Sequence, residues 1–215
     1  MAMDEMLMQQ PIVAPTLRIY QWDSPTISIG YFQKIQNHIG ECEDNNQSWN
    51  LIRRITGGGL VRHGKDITLS LILPENNAYF SSKVTESYRD IHQIFITALE
   101  SIIPKLSFSA SNQGLKPRSR RICFEEPTAY DIESGDQKII GSSQRRRDGV
   151  LLHQTSMQLP LEVRLATDLI SKQFEKSLNI QFEPKHLTLT ENEKVQKLIK
   201  DKYLLPEYSL TGILS

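Results

Sequence analysis

Hydrophobic positions along the first third of the chain alternate. Residues 16 to 32, TLRIYQWDSPTISIGYF, place β-branched and aromatic residues on both sides of Asp23-Ser24-Pro25, which predicts two short strands joined as a hairpin. A polar stretch, ECEDNNQSWN at 41 to 50, leads into LIRRIT. In DITLSLILP, Ile67, Leu69, Leu71 and Leu73 then recur at period two and are expected on one face of a strand. From Lys83 to Ile103 the period changes: Val84, Tyr88, Ile91, Phe95, Ala98, Leu99 and Ile102 recur at three- and four-residue steps, a helix with Ser81 or Ser82 as N-cap. The segment SASNQGLKPRSRR, 109 to 121, combines turn formers with Arg118, Arg120 and Arg121 and predicts a basic loop. Strands follow at TAYDI, QKIIGSSQ and GVLLHQTSMQL, the first two joined tightly through Glu133-Ser134-Gly135-Asp136, with Lys138 close to the turn. Beyond Pro160 the pattern is helical, through VRLATDLISKQFEKSL and then ENEKVQKLIKDKY, where Val195, Leu198 and Ile199 make one face. Strands in the middle with helices outside predict an α+β fold rather than a βαβ repeat.

Length and charge narrow the class. The 215 residues are ample for one core, no internal repeat is visible, and the chain reads as one domain over 1–215. Lys plus Arg and Asp plus Glu each total 25, so no global field draws the protein onto nucleic acid or an anionic membrane. No apolar run reaches the roughly 18 residues of a membrane span. Asp4 and Glu5 stand where a secretory signal carries positive charge, so cytoplasm is the expected location. Cys42 and Cys123 lie in unrelated contexts and make no disulfide framework. No CxxC or HExxH spacing appears, so no metal site is expected in the protein itself.

Three segments have the residue types for chemistry. The densest is RRITGGGLVRH, Arg53 to His63: paired arginines end a β run, three glycines follow, and a histidine closes it. Three glycines cost conformational entropy, and a turn whose backbone approaches an anionic or carbonyl-bearing ligand justifies that cost. The plain alternative is a strand-to-strand turn with its arginines in solvent. Gly59-x4-Gly64-Lys65 imitates a P-loop, but Asp66 stands where magnesium needs a hydroxyl, and ITLSLIL alternates as a strand where a helix is required. The second segment, RICFEEPTAYDI, sets Cys123 near three arginines that favour a thiolate, against the alternative of a small core residue. The third, QKIIGSSQRRR, carries Lys138 on a strand leading to Gly141-Ser142-Ser143, where an ordinary strand lysine is merely solvated.

Taken in order, these segments resemble one family. Arg53-Arg54-Ile55-Thr56-Gly57-Gly58-Gly59 with His63 is similar to the RRxTGG motif of the lipoate-protein ligase and octanoyltransferase family, which shares its catalytic fold with biotin protein ligases. Tyr130-Asp131-Ile132 followed by Lys138-Ile139-Ile140-Gly141-Ser142-Ser143 resembles the segment around that family's lysine. Residues 151 to 154, LLHQ, and the start from Pro15 to Gln33 also fit, so the resemblance covers roughly residues 4 to 205. Two departures stand out: Thr155 where the family usually has Gly, and Gly59 completing GGG where the cysteine-dependent octanoyltransferase subgroup has GGR. The segment ICFEEPTAY resembles that subgroup's cysteine region.

The resemblance implies a mixed, largely antiparallel central sheet flanked by helices, without the C-terminal accessory domain of many ligases. It implies an acyltransferase of protein lipoylation with Cys123 and Lys138 catalytic, and with Arg53, Arg54, Gly57, Gly58, Gly59, His63, Gly141, Ser142 and His153 binding substrate. In the transferase form Cys123 takes an octanoyl or lipoyl group from acyl carrier protein and no cofactor is needed. In the ligase form ATP and magnesium are substrates, an acyl-adenylate forms, and Cys123 is a bystander. A third possibility is a degenerate binder of lipoyl domains. The implied acceptors are lipoyl domains of 2-oxoacid dehydrogenase E2 or glycine-cleavage H type. The clusters Arg118-Arg120-Arg121 and Arg145-Arg146-Arg147 would steer them, and Ile140 and Leu152 would wall the acyl chain.

Overall fold

The computed structural model describes residues 1–37, 49–81, 83–109, 124–125 and 128–212, with the backbone alone at 207 and 210. Its centre is a six-stranded antiparallel sheet. β1 (Thr16–Tyr20), β5 (Ile67–Pro74), β9 (Val150–Met157), β8 (Gln137–Arg147), β7 (Ile132–Ser134) and β6 (Leu106–Phe108) lie side by side in that order. A second sheet orders β3 (Asn50–Arg53), β2 (Thr26–Ile29) and β4 (Val61–His63), with β2 parallel to β3 and antiparallel to β4. Among the described residues, five α-helices complete the α+β fold: α1 (Ala2–Met8), α2 (Val84–Leu99), α3 (Val163–Leu178), α4 (Leu189–Leu198) and α5 (Pro206–Thr211).

β5 shows why the sheet lies at the centre. All eight of its residues are buried. Ile67, Leu69, Leu71 and Leu73 join a cluster with Phe95 of α2 and Ile170 and Phe174 of α3, while Ile72, half a period away, joins Met6 of α1 and Val195 of α4. Helices therefore cover both faces, as the period-two run requires of a strand buried on two sides. The expected hairpin at 16 to 32 does not form. β1 pairs with β5, Thr16 opposite Ile72, whereas Thr26–Ile29 crosses to the second sheet. β1 finds a longer apolar partner in β5, β2 is taken up between β3 and β4, and Trp22 in the link lies on His63, ring centroids 4.3 Å apart. Helix α2 starts without the expected serine cap. Ser81 accepts from the Lys83 amide and donates to Glu86 instead, and Ser82 lies outside the described residues.

The tight connection before Lys138 is present. Gly135 adopts a left-handed φ of +63°, and Ser134 faces Gln137 across the turn. Only the end of TAYDI is strand; Thr128 to Tyr130 form a turn in which Tyr130 takes φ +69°. The last predicted helix is divided. A Thr188/Glu191 capping box starts α4, and a π-helical turn, Ile199–Tyr203, follows it. None of the described helices is long and apolar enough to cross a membrane.

Candidate active site

The paired arginines are buried, against the solvated alternative, and they do different work. Arg53 donates to five backbone carbonyls: Gly30 (3.1 Å), Tyr31 (3.0 Å), Gln33 (2.7 Å), Tyr208 (3.1 Å) and Ser209 (3.0 Å). It ties the end of β2 to α5, a structural task, and it is not among the residues lining the cavity that Arg54 borders. Arg54 turns inward. It donates to the carbonyls of Gly57 (2.7 Å) and Gly59 (2.6 Å) and to the carbonyl and hydroxyl of Ser28, both at 3.1 Å. The glycine turn is thus wrapped around a guanidinium. Gly58 sits at φ +89°, where a Cβ would lie 2.9 Å from Arg54 Nη2, so any larger residue is strained and must displace that guanidinium. Gly57 has open space at its Cβ, facing outward.

His63, closing the motif, is buried between two partners. Its Nδ1–H donates to Asp66 Oδ2 at 2.7 Å, which leaves Nε2 to accept from the Ser28 hydroxyl at 2.7 Å. Burial holds the ring neutral by lowering its pKa against the pull of Asp66. Burial alone would raise the Asp66 pKa, but the hydrogen bonds from His63, Ser156 (2.6 Å) and the Gly64 amide outweigh it and leave it lowered. Ser28, Asp66 and Trp22 are site residues that periodicity did not reveal. The spacing of Asp66 three residues after His63 was the available signal.

Lys138 is not a solvated strand lysine. Its side chain is 3% exposed and its Nζ lies 2.7 Å from Asp131 Oδ2. Asp131 also accepts from the Thr128 amide (2.7 Å) and hydroxyl (3.0 Å) and from Tyr88 (2.5 Å). The Tyr88 hydroxyl in turn accepts from the Ser142 amide at 2.9 Å. A hydrogen-bonded line therefore joins the lysine to Ser142. Ser142 is fixed further by His92: the Nδ1–H of that ring donates to the Tyr130 carbonyl (2.7 Å), so Nε2 accepts from the Ser142 hydroxyl (2.6 Å). The left-handed Tyr130 presents that carbonyl. His153, expected at the substrate, sits inside the fold. It is fully buried, accepts from Gln144 and packs against Tyr88 and His92.

Arg54, Gly58, His63, Gly141 and Ser142 meet around one cavity of about 40 Å³, whose wall also includes Met1 and Thr155. Ile140 and Leu152 do not line it. They lie in two separate closed cores on opposite faces of the sheet. Cys123 and the cluster Arg118-Arg120-Arg121 lie outside the described residues, as does Cys42. The residue after Cys123 is described: the Phe124 ring centroid is 5.4 Å from Lys138 Nζ. Arg145, Arg146 and Arg147 form no loose patch but continue β8. Arg145 donates to the Ile55 carbonyl at 2.8 Å, Arg146 donates to the Ser81 carbonyl, and Arg147 pairs with Asp148.

Residues 1–190 match the family described as lipoyl protein ligase A/B catalytic domain. The chain belongs to that family. Among curated relatives, the octanoyltransferase LipM of Staphylococcus epidermidis is 32% identical over 252 positions, covering 94% of this chain and 90% of its own length. That of Bacillus anthracis is 29% identical over 258 positions, covering 97% and 92%. Both alignments are longer than the 215-residue chain, so these relatives carry segments that it lacks. A structure described as a bi-partite lipoate protein ligase and its E2 lipoyl domain from Thermoplasma acidophilum superposes with a TM-score of 0.77 at 19% identity. It covers 100% of this chain and 91% of its own and shares the fold.

Proposed function

We propose that this protein is an octanoyltransferase of protein lipoylation that carries the acyl group on Cys123. The acyl donor is octanoyl-acyl carrier protein and the acceptor a lysine of a lipoyl domain. The Cys123 thiol gives up its proton and adds as thiolate to the thioester carbonyl, the carbonyl–sulfur bond to the carrier breaks, and the carrier sulfur takes up the proton that Cys123 released and leaves as a thiol. The acceptor amine then attacks the acyl-cysteine, forming the amide and releasing the Cys123 thiol. Lys138, fixed by Asp131 beside the residue that follows Cys123, supplies the positive charge opposite the oxyanion of each step. That placement is the observation that carries the reading. The cavity beside Ser142 receives the acyl chain. At about 40 Å³ it has room for only a few waters, so the chain must widen it, and unbranched Met1 is the wall best able to move. Arg145 and Arg147 border an open groove beside Ile55 and Tyr31, where an acidic lipoyl domain is steered toward the glycine motif.

The GGG sequence, similar to that of ligases, favours a second reading in which octanoate or lipoate reacts with ATP and magnesium. One assay separates them: lipoyl-domain modification with octanoyl-acyl carrier protein and no ATP, beside octanoate with ATP and magnesium. The transferase modifies the domain in the first tube. Without an acceptor, the protein should gain one octanoyl group in a hydroxylamine-labile linkage that Cys123→Ser loses and Cys42→Ser keeps. Modification confined to the ATP tube, with full activity in Cys123→Ser, assigns the ligase instead.

A further inference from the structure

Helix α1 reaches the site through one buried carboxylate. Asp4 is fully buried, and its Oδ2 accepts from Gln154 Nε2 at 2.6 Å and from the Ser70 hydroxyl at 2.9 Å, while Oδ1 accepts from Arg18. A carboxylate has no proton to give, so the Gln154 amide has one orientation, nitrogen toward Asp4 and oxygen away. That oxygen accepts from the Thr56 hydroxyl at 2.6 Å. With its proton committed, Thr56 Oγ1 accepts in turn from the Ser143 hydroxyl at 2.8 Å. Every donor in the series Ser143, Thr56, Gln154 therefore points toward Asp4. The series passes through both sequence motifs, the glycine turn at Thr56 and the lysine strand at Ser143. Those motifs nearly touch, since a Cβ on Gly58 would lie 3.5 Å from Ser143 Cβ.

We propose that Asp4 is a positioning residue for acyl transfer. By orienting the Gln154 amide it sets the direction of the hydrogen bonds that hold the glycine motif against the strand bearing Lys138. Anchoring the helix does not require it. The neighbouring Glu5 accepts from Lys202 Nζ (2.7 and 2.8 Å) and the Tyr203 hydroxyl (2.6 Å), and Met6 and Leu7 supply apolar burial. A fully buried carboxylate is costly to desolvate, and here the return is direction. The inference rests on the acyl-transfer reading only for its kinetic readout.

Asp4→Asn breaks the directionality, because Arg18 keeps the amide oxygen and the amide nitrogen then opposes that of Gln154. Backbone amide exchange across Gly57 to Leu60 should accelerate about tenfold, equivalent to about 1.4 kcal/mol of opening free energy, while α2 exchanges as before. The KM for the acyl donor should rise by a similar factor with kcat nearly kept. The swap Asp4→Asn with Gln154→Glu restores one direction, the amide on α1 donating to a carboxylate on β9 whose other oxygen accepts from Thr56, and should recover both readouts. Glu5→Gln should lower thermal stability yet leave the glycine-turn amides as in the wild type. Unchanged exchange at Gly57 to Leu60 in Asp4→Asn, or a folded swap that restores neither readout, overturns the proposal. Should Asp4→Asn not fold, Thr56→Val cuts the same series with the carboxylate still paired, and the same amides decide. If the wild type modifies no lipoyl domain, the acyl-transfer reading fails while the exchange experiment still tests Asp4.

Discussion

The two ends of the site are built from opposite sequence distances. At the lysine end, Thr128, Tyr130, Asp131 and Lys138 follow one another through a turn and a hairpin, and Tyr88, His92 and His153 come from elsewhere. At the glycine end, Thr56 meets a partner 98 residues away and Gln154 one 150 residues away, and the floor of the turn is an arginine side chain. Local assembly places one charge accurately. Long-range assembly determines how close two strands stand. Each end fails differently when disturbed.

Lys138→Ala produces the largest effect. On the proposed mechanism it removes the charge opposite the oxyanion, so lipoyl-domain modification should fall below detection. It also strands Asp131 in the interior, and removing one member of a buried pair costs about 3–5 kcal/mol. Urea unfolding measures that cost. The double variant Lys138→Ala with Asp131→Ala should regain much of the stability and none of the activity. A stable, active Lys138→Ala would show that the charge is not used.

Arg53→Lys comes next. An ammonium has three donors and no planar fork, so at least two of five carbonyl partners lose their hydrogen bond, about 2–4 kcal/mol. A lowered melting temperature with unchanged KM is expected. Arg54→Lys should instead raise KM, because it releases the carbonyls of Gly57 and Gly59 that shape the turn. If both arginines behave alike, the division of labour between them is wrong.

These two ends also explain what could be read in advance. The β5 periodicity, the Gly135 turn and the centre of the α2 stripe depend on neighbours in sequence and appear where expected, while Val84 is exposed and Ile102 lies beyond the end of the helix. The lysine strand and the glycine turn were legible because each is a compact run of residue types. Burial of Lys138 was not, since a lysine's environment is decided by what folds over it, here Asp131 and Phe124. Arg53 and Arg54 are adjacent letters with one shared motif, and only the third dimension turns one toward α5 and the other into the turn. The hairpin at 16 to 32 failed for a related reason: alternation gives the face of a strand and says nothing of its partner. In the sequence Asp4 is no more than a charge that argues against a signal segment, because its partners lie far along the chain.

A smaller effect tests the glycine end by itself. Gly58→Ala must accommodate φ +89° and a methyl 2.9 Å from Arg54 Nη2, about 1–2 kcal/mol. Gly57→Ala meets open space and should stay within about 0.5 kcal/mol. Equal losses at the two positions would mean the turn is not held by Arg54.

The smallest contrast is in pH. The lysine end holds His92 and His153 neutral and the glycine end holds His63 neutral, in each case because burial disfavours the charged ring. In the unfolded chain all three charge as pH falls below about 6.5. The unfolded state then binds more protons than the native state, so stability declines on acidification by up to about 1.4 kcal/mol per pH unit for each ring. For His92 the decline continues until the folded ring itself protonates at about 3. His92→Gln keeps a donor and an acceptor for the Tyr130 carbonyl and the Ser142 hydroxyl but cannot charge. It should therefore reduce the slope of stability against pH between 6 and 4 by about one proton. Urea midpoints across that range measure the slope. An unchanged slope would mean that His92 takes a proton in the folded protein as readily as in the unfolded chain, and then its Nε2 could not be the acceptor that fixes Ser142.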